Sequence, residues 1–214
     1  MNNIPQIMSG VYLTGHGGLD KLVYREYIPV PVPQAGEVLI EVKGAGVNNT
    51  DINTRLGWYS KKVTSDTNAG GREGLQEVDN DDASWGGVPL QFPRIQGGDI
   101  CGIIVQVGEG VEQNRIGTRI LVRSMQNIPN KDNALAMQTM GSEVDGGFAQ
   151  YCVAKAKESF PINCDWSDTE LASIPISYST AEGMLCRADI QKETILITGA
   201  SGGVGSAAIQ LAKV

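Results

Sequence analysis

The chain has 214 residues, with 24 Asp and Glu against 17 Lys and Arg, for a formal net charge of -7. That balance argues against nucleic acid or an anionic membrane as partner, and no apolar run approaches the roughly 18 residues of a membrane span. The length allows one large domain or two modest ones around a real core.

The segment Met1 to Ser9 lacks the basic and apolar regions of a signal peptide. Cys101, Cys152, Cys164 and Cys186 are widely spaced. Three of them sit in apolar or strand-like surroundings, which reads as reduced, buried thiols and a cytoplasmic location.

From Val11 to about Val47 the sequence reads as short strands separated by Gly and Pro. Glu37 to Lys43 alternates Val38, Ile40 and Val42 against mostly polar neighbours, as a half-buried strand does. His16, the only histidine, lies in the turn-like Thr14-Gly-His-Gly-Gly and reads as a solvated loop residue. Asn48 to Leu56 spells a short helix, with Asn49 or Thr50 placed to cap it and Gly57 to end it. Local sequence makes Asn48, Thr50 and Asp51 capping residues first.

Residues 60–92 are polar, rich in Gly, Asp and Asn, and without helical or strand period. Such a loop is a lid, an insertion or disordered. Asp79-Asn-Asp-Asp82 lacks the glycine and glutamate of an EF loop and reads as solvated. Trp58 and Trp85 could anchor the insertion against a pocket rim.

Ile95 to Val107 predicts a strand with Cys101, Ile103, Val105 and Val107 on one face. Gly117 to Arg123 predicts the next, 124–146 a loop with Met125, Met137 and Met140 as packing points, and Gly147 to Ala154 a further strand. Ser167-Asp-Thr-Glu170 is a capping box, and Ser179 to Ala188 a second helical segment. Composition turns from strand-rich to helix-rich near Pro161.

Thr194 to Ile197 then runs as a strand into the turn Gly199-Ala-Ser-Gly-Gly-Val-Gly205 and a helical Ala/Ile/Leu pattern. The turn reads either as A-x-G-x-x-G (Ala200, Gly202, Gly205) or as T-G-x-x-x-G-x-G (Thr198, Gly199, Gly203, Gly205). Either version points free N–H groups and a positive helix end at a pyrophosphate.

Seven phrases in order resemble the medium-chain dehydrogenase/reductase superfamily: Gly46 to Asp51, Pro93 to Gly102, Val107 to Val111, Gly117 to Ile120, Gly146 to Tyr151, Ser179-Thr180 and the Gly199 turn. The resemblance implies a mixed α and β fold: a GroES-like β-barrel substrate domain over 1–163, carrying the 60–92 insertion, then the beginning of a Rossmann domain over 164–214. It also favours the first reading of the glycine turn, since a short-chain enzyme would carry that turn near its N-terminus. Where zinc-dependent relatives place a cysteine, a histidine and a cysteine ligand, this chain has Asn48, Gly98 and Ile176, and 124–146 holds no cysteine for a structural zinc lobe. A catalytic zinc needs three protein ligands, so the chain resembles the zinc-free, quinone oxidoreductase-like branch.

That branch implies NADP as cofactor, with NAD not excluded, hydride transfer from its reduced form to a quinone or an α,β-unsaturated carbonyl, and a homodimer at full length. It points to Asn48, Thr50 and Tyr59 as hydrogen-bond donors to the substrate oxygen. It places Thr180 by the nicotinamide, Asn49 by the pyrophosphate, and Ser201, Gly202, Gly203, Val204 and Gly205 under the phosphates. The chain stops one strand and one helix into the Rossmann domain, so the sequence reads as a fragment that binds nucleotide poorly alone. The competing expectations are a non-catalytic binding or structural barrel, and an alcohol dehydrogenase with altered ligands.

Overall fold

The structure is a computed structural model describing residues 4–128 and 136–213. Its centre is a five-stranded antiparallel sheet in the order β10-β6-β5-β3-β9: β3 is Glu37–Gly46, β5 Asp99–Val107, β6 Arg119–Val122, β9 Tyr151–Lys155 and β10 Ser159–Pro161. Val38, Ile40, Ile100, Ile104, Ile120 and Val122 of these strands are almost wholly buried together with Cys152 and Ala154. Burying a side chain of this kind contributes about 1.5–3 kcal/mol, so this cluster is where the fold is decided.

A second sheet, β2-β1-β4, joins β1 (Ile7–Leu13), β2 (Leu22–Pro29) and β4 (Arg94–Ile95). It is stitched to the segment entering β9 by Val11 N–H to the Phe148 carbonyl (2.8 Å) and Gln150 N–H to the Ser9 carbonyl (3.0 Å). A short hairpin of β7 (Met125–Asn127) and β8 (Met137–Thr139) occupies part of what the sequence presents as loop. Of the three methionines there, Met140 is buried, Met125 half-buried and Met137 exposed.

The predicted face of β5 is wrong. Ile40 pairs with Ile104 while its neighbour Leu39 pairs with Gln106, so a bulge at Val105 breaks the alternation. Ile100 and Ile104 enter the main core, and Val107 joins them only because the bulge turns it inward. Cys101 faces the other way, against Leu171 and Ala172 of the helical segment beyond the sheet. Cys101 and Cys152 are buried, with thiols that burial pushes up to about 11 and about 12. Cys164 and Cys186 are exposed, so two thiols rather than three are buried.

Helix α1 (Asn49–Leu56) ends at Gly57 in the left-handed conformation, as expected, but its cap is Asn48 rather than Asn49 or Thr50. The 60–92 insertion contains one helical turn, α2 (Thr67–Gly70), capped by Asp66. Otherwise it is irregular but fastened. Buried Arg55 donates to the Gly17 carbonyl (2.6 Å) and the Gly71 carbonyl (3.2 Å), and Trp58 Nε1–H donates to the Ser65 carbonyl (3.0 Å). His16 is not a solvated loop residue. It is half-buried, bonds the Thr54 carbonyl through Nδ1 (2.8 Å) and meets Phe92 edge-on at 5.0 Å; burial lowers its pKa.

Past β10, Arg119 Nε donates to Asp168 Oδ1 (2.8 Å) and clamps the sheet to α3 (Asp168–Leu171), whose Ser167/Glu170 capping box forms as predicted. Helix α4 (Pro175–Arg187) starts four residues before the predicted Ser179, because Pro175 takes its first turn. It packs on α5 (Gly203–Leu211) through Ala181, Ala207 and Ala208. Thr194 to Ile197 does not form the predicted strand. A parallel strand exists only through its neighbours' hydrogen bonds, and among the described residues none lies alongside. Ile197 packs against the α4/α5 cluster, while Leu196 is 91% exposed.

Candidate functional site

Asn48, Asp51 and Asp99 tie together the end of β3, the start of α1 and the start of α4. Asp51 is buried. Its Oδ2 accepts Asn48 N–H (2.8 Å), its Oδ1 accepts Gly97 N–H (3.0 Å), and Gln96 Nε2–H donates to its backbone carbonyl (2.8 Å). Asn48 Oδ1 in turn accepts Thr50 N–H (3.2 Å), which completes the capping box. Burial outweighs those donors and pushes the Asp51 carboxyl up to about 6. The capping reading of Asn48 and Asp51 is therefore correct, and it also aims the helix start at the cleft.

Asp99, 2% exposed, accepts from Asn48 Nδ2–H (3.2 Å) and, on its other oxygen, from Ile176 N–H (2.7 Å). Burial raises its pKa. A β-carbon on Gly98 would stand 2.9 Å from Ile176 Cδ1. The three positions that the resemblance assigns to zinc ligands, Asn48, Gly98 and Ile176, lie close together. What they bring is an amide, a glycine and an isoleucine methyl, with one carboxylate already using both oxygens. Asn48 and Asp99 are two oxygen-bearing residues where a catalytic zinc takes three protein ligands, so the residues present do not fit that metal.

Thr50 and Tyr59 meet: their hydroxyls are 2.7 Å apart. Thr50 shares a small cleft of about 80 Å³ with Trp85, Ser124, Met125, Ile176 and Thr180. Tyr59 is not on that lining; it stands behind Thr50 and Trp85, and the rings of Trp58 and Trp85 meet it edge-on at 5.8 and 5.1 Å. Burial raises the Tyr59 pKa, which keeps the phenol protonated and able to donate. Ser124 Oγ–H is committed to the Gly98 carbonyl (2.5 Å). Thr180 is exposed at the cleft, and Asn49 is exposed on the outer side of α1.

The glycine turn opens α5. Gly202 caps it, and Gly203, Val204 and Gly205 are its first three residues, whose N–H groups have no carbonyl partner inside a helix. Ser201, Gly202 and Gly203 are exposed, Val204 is half-buried and Gly205 is buried. The glycines differ in cause. A β-carbon on Gly203 would strike Ser177 Oγ at 2.6 Å, and one on Gly205 would run into the Gly199 carbonyl. Gly199 sits at φ +62°, where other residues are strained. Gly202 has none of these reasons: its φ is ordinary and the nearest atom to its missing β-carbon is 3.5 Å away. The open space above Gly202, with unpaired N–H groups beneath, fits a phosphate of a dinucleotide.

Trp85, expected at a pocket rim, does line the cleft, whereas Glu143 was not legible as a site residue. Glu143 accepts Gly86 N–H (3.0 Å) and Thr139 N–H (2.9 Å), tying the insertion to the β7/β8 hairpin across a sequence gap no local pattern reveals.

A curled antiparallel sheet with a cleft at its α1 edge, followed by helices opening on a glycine turn, defines the architecture of the medium-chain dehydrogenases and reductases. The alcohol dehydrogenase GroES-like domain model matches residues 34–164, and the chain belongs to that family. It is 29% identical over 210 residues to the human quinone oxidoreductase, spanning 97% of this chain and 50% of that one. It is 27% identical to an alcohol dehydrogenase of Schizosaccharomyces pombe, over 98% of this chain and 55% of that one. Among solved structures, a Sinorhizobium meliloti 1021 protein assigned as an alcohol dehydrogenase superposes with a TM-score of 0.82 at 44% identity, over all of this chain and 56% of that one. The chain thus spans about half the length of the relatives it matches.

Proposed function

We propose that the chain supplies the substrate domain (1–163) and the opening of the nucleotide domain (164–214) of an NAD(P)H-dependent oxidoreductase that reduces a quinone or an α,β-unsaturated carbonyl without zinc. The observation that supports this reading is the arrangement of Asn48, Gly98 and Ile176, the positions the resemblance assigns to zinc ligands, where Asn48 and Ile176 are both hydrogen-bonded to Asp99.

A reduced nicotinamide, when bound, supplies the hydride. The chain's own residues hold the acceptor. Negative charge grows on the substrate oxygen as the carbonyl system is reduced, and a donor fixed in place beforehand stabilises it. Thr50 is that donor. When Tyr59 O–H donates to Thr50 Oγ, the threonine proton is left pointing at the cleft, so the phenol polarises the donor rather than touching substrate. Asn48 has one amide hydrogen beyond the one given to Asp99, and the capping box fixes its direction. Asp51 positions both by holding the helix start against Gly97.

The test is NADPH oxidation by the full reading frame against a quinone and an enone, with metal content measured on the same sample. Metal-free turnover is expected, and Thr50→Val is expected to lower kcat by about 100-fold. Stoichiometric transition metal, with turnover lost on chelation, would overturn the reading.

A further inference from the structure

The 60–92 insertion has no catalytic part in the reading above, yet it delivers one large aromatic ring to the cleft. Trp85 sits at the tip of a turn whose base, Ala83 and Ser84, is almost fully buried. Gly87 N–H closes the turn on the Ser84 carbonyl (3.0 Å), and Val88 N–H bonds Ser84 Oγ (3.2 Å). Gly86 N–H reaches Glu143, which anchors the turn to the hairpin. The indole meets Tyr59 edge-on, with ring planes at 88°. Half of Trp85 remains exposed (50%), and it lines the cleft beside Thr50 and Ile176. A long polar loop held by three hydrogen bonds so as to present an uncovered indole beside a donor hydroxyl is a built wall. Its ring is already ordered, so a ligand stacking on it loses little further freedom.

We propose that Trp85 is a specificity residue that selects flat, conjugated ring carbonyls, such as aryl ketones, aryl enones and quinones, over saturated carbonyl compounds of the same size. This inference rests on the reading of the cleft as the substrate site of a quinone or enone reductase. The physical basis is the aromatic quadrupole: a flat π-system gains about 0.5–1.5 kcal/mol on an indole beyond its area burial, which is a preference of roughly twofold to tenfold. Apolar area alone predicts the opposite, because a saturated ring buries at least as much surface.

The test uses acetophenone and cyclohexyl methyl ketone, which share a carbon skeleton and differ in planarity, titrated into the 214-residue chain. The readout is the indole N–H signals of Trp58, Trp85 and Trp166 by nitrogen-15 NMR. The Trp85 signal is expected to shift saturably, with acetophenone bound at least about twofold tighter. Trp85→Phe is expected to keep most of that preference and Trp85→Leu to abolish it. Equal affinity for the two ketones, no saturable shift at Trp85, or a preference that survives in Trp85→Leu would each overturn the proposal. Failure of NADPH oxidation in the full reading frame would instead overturn the reductase reading, and the ketone titration is independent of it.

Discussion

The five-stranded sheet and the stretch from Thr194 to Ile197 draw on the same residue types, yet one is closed and the other open. Ile104 lies in β5 with strands paired on both sides and no exposed surface. Leu196, in an equally strand-like sequence, is outside any strand, unpaired among the described residues and 91% exposed. β propensity is the fit of a side chain to a pleated, half-buried surface. Where no such surface is present, the propensity remains and the strand does not form. The two segments therefore differ in surroundings, and substitutions should separate them sharply.

Ile104→Ala removes atoms from the best-packed part of the molecule and is expected to cost about 2–5 kcal/mol. The shift in the urea midpoint of the 214-residue chain measures it. A cost under about 1 kcal/mol would mean that the sheet core is as loosely held as the C-terminal segment, and the contrast would collapse.

How much of this was legible follows from how local each cause is. Val38 and Ile40 announce their strand by period 2, and both are fully buried. Ser167 and Glu170 announce their cap because a capping box closes within four residues. Thr50 and Tyr59 were both identified, nine residues apart across one short helix, although only the structure shows that Tyr59 stands behind Thr50. The face of β5 was misread because the bulge at Val105 is set by the pairing with β3, which begins some sixty residues earlier. Asp99 and Glu143 were missed as organisers for the same reason. Their partners, Asn48 and Gly86, lie 51 and 57 residues away.

Asp51 sharpens the contrast from the closed side, because a buried carboxylate makes stability depend on pH. Its pKa is about 6 in the folded chain against 3.8 for the ordinary value. Between those limits the folded state binds more protons than the unfolded one, so stability falls as pH rises from about 4 to about 6 and is level above that. Asp99, raised in the same direction, adds to the same window. Asp51→Asn is expected to flatten part of that slope while costing about 1–3 kcal/mol at neutral pH, since an amide nitrogen would face the Asn48 N–H. Unfolding curves at pH 4, 5, 6 and 7 provide the check. An unchanged slope in Asp51→Asn would show that the cap is solvated rather than enclosed.

Leu196→Ser tests the open side, where the expected effect on unfolding is within about 0.5 kcal/mol because the side chain touches little that it could lose. Its consequence lies elsewhere. An exposed leucine on an unpaired, strand-prone segment is a template for another chain, and a polar residue there removes the apolar half of that attraction. Light scattering of the 214-residue chain at rising concentration should therefore show less self-association in Leu196→Ser, with the urea midpoint unmoved. A large loss of stability instead would mean that Leu196 is buried in solution, and that the segment had found a strand partner after all.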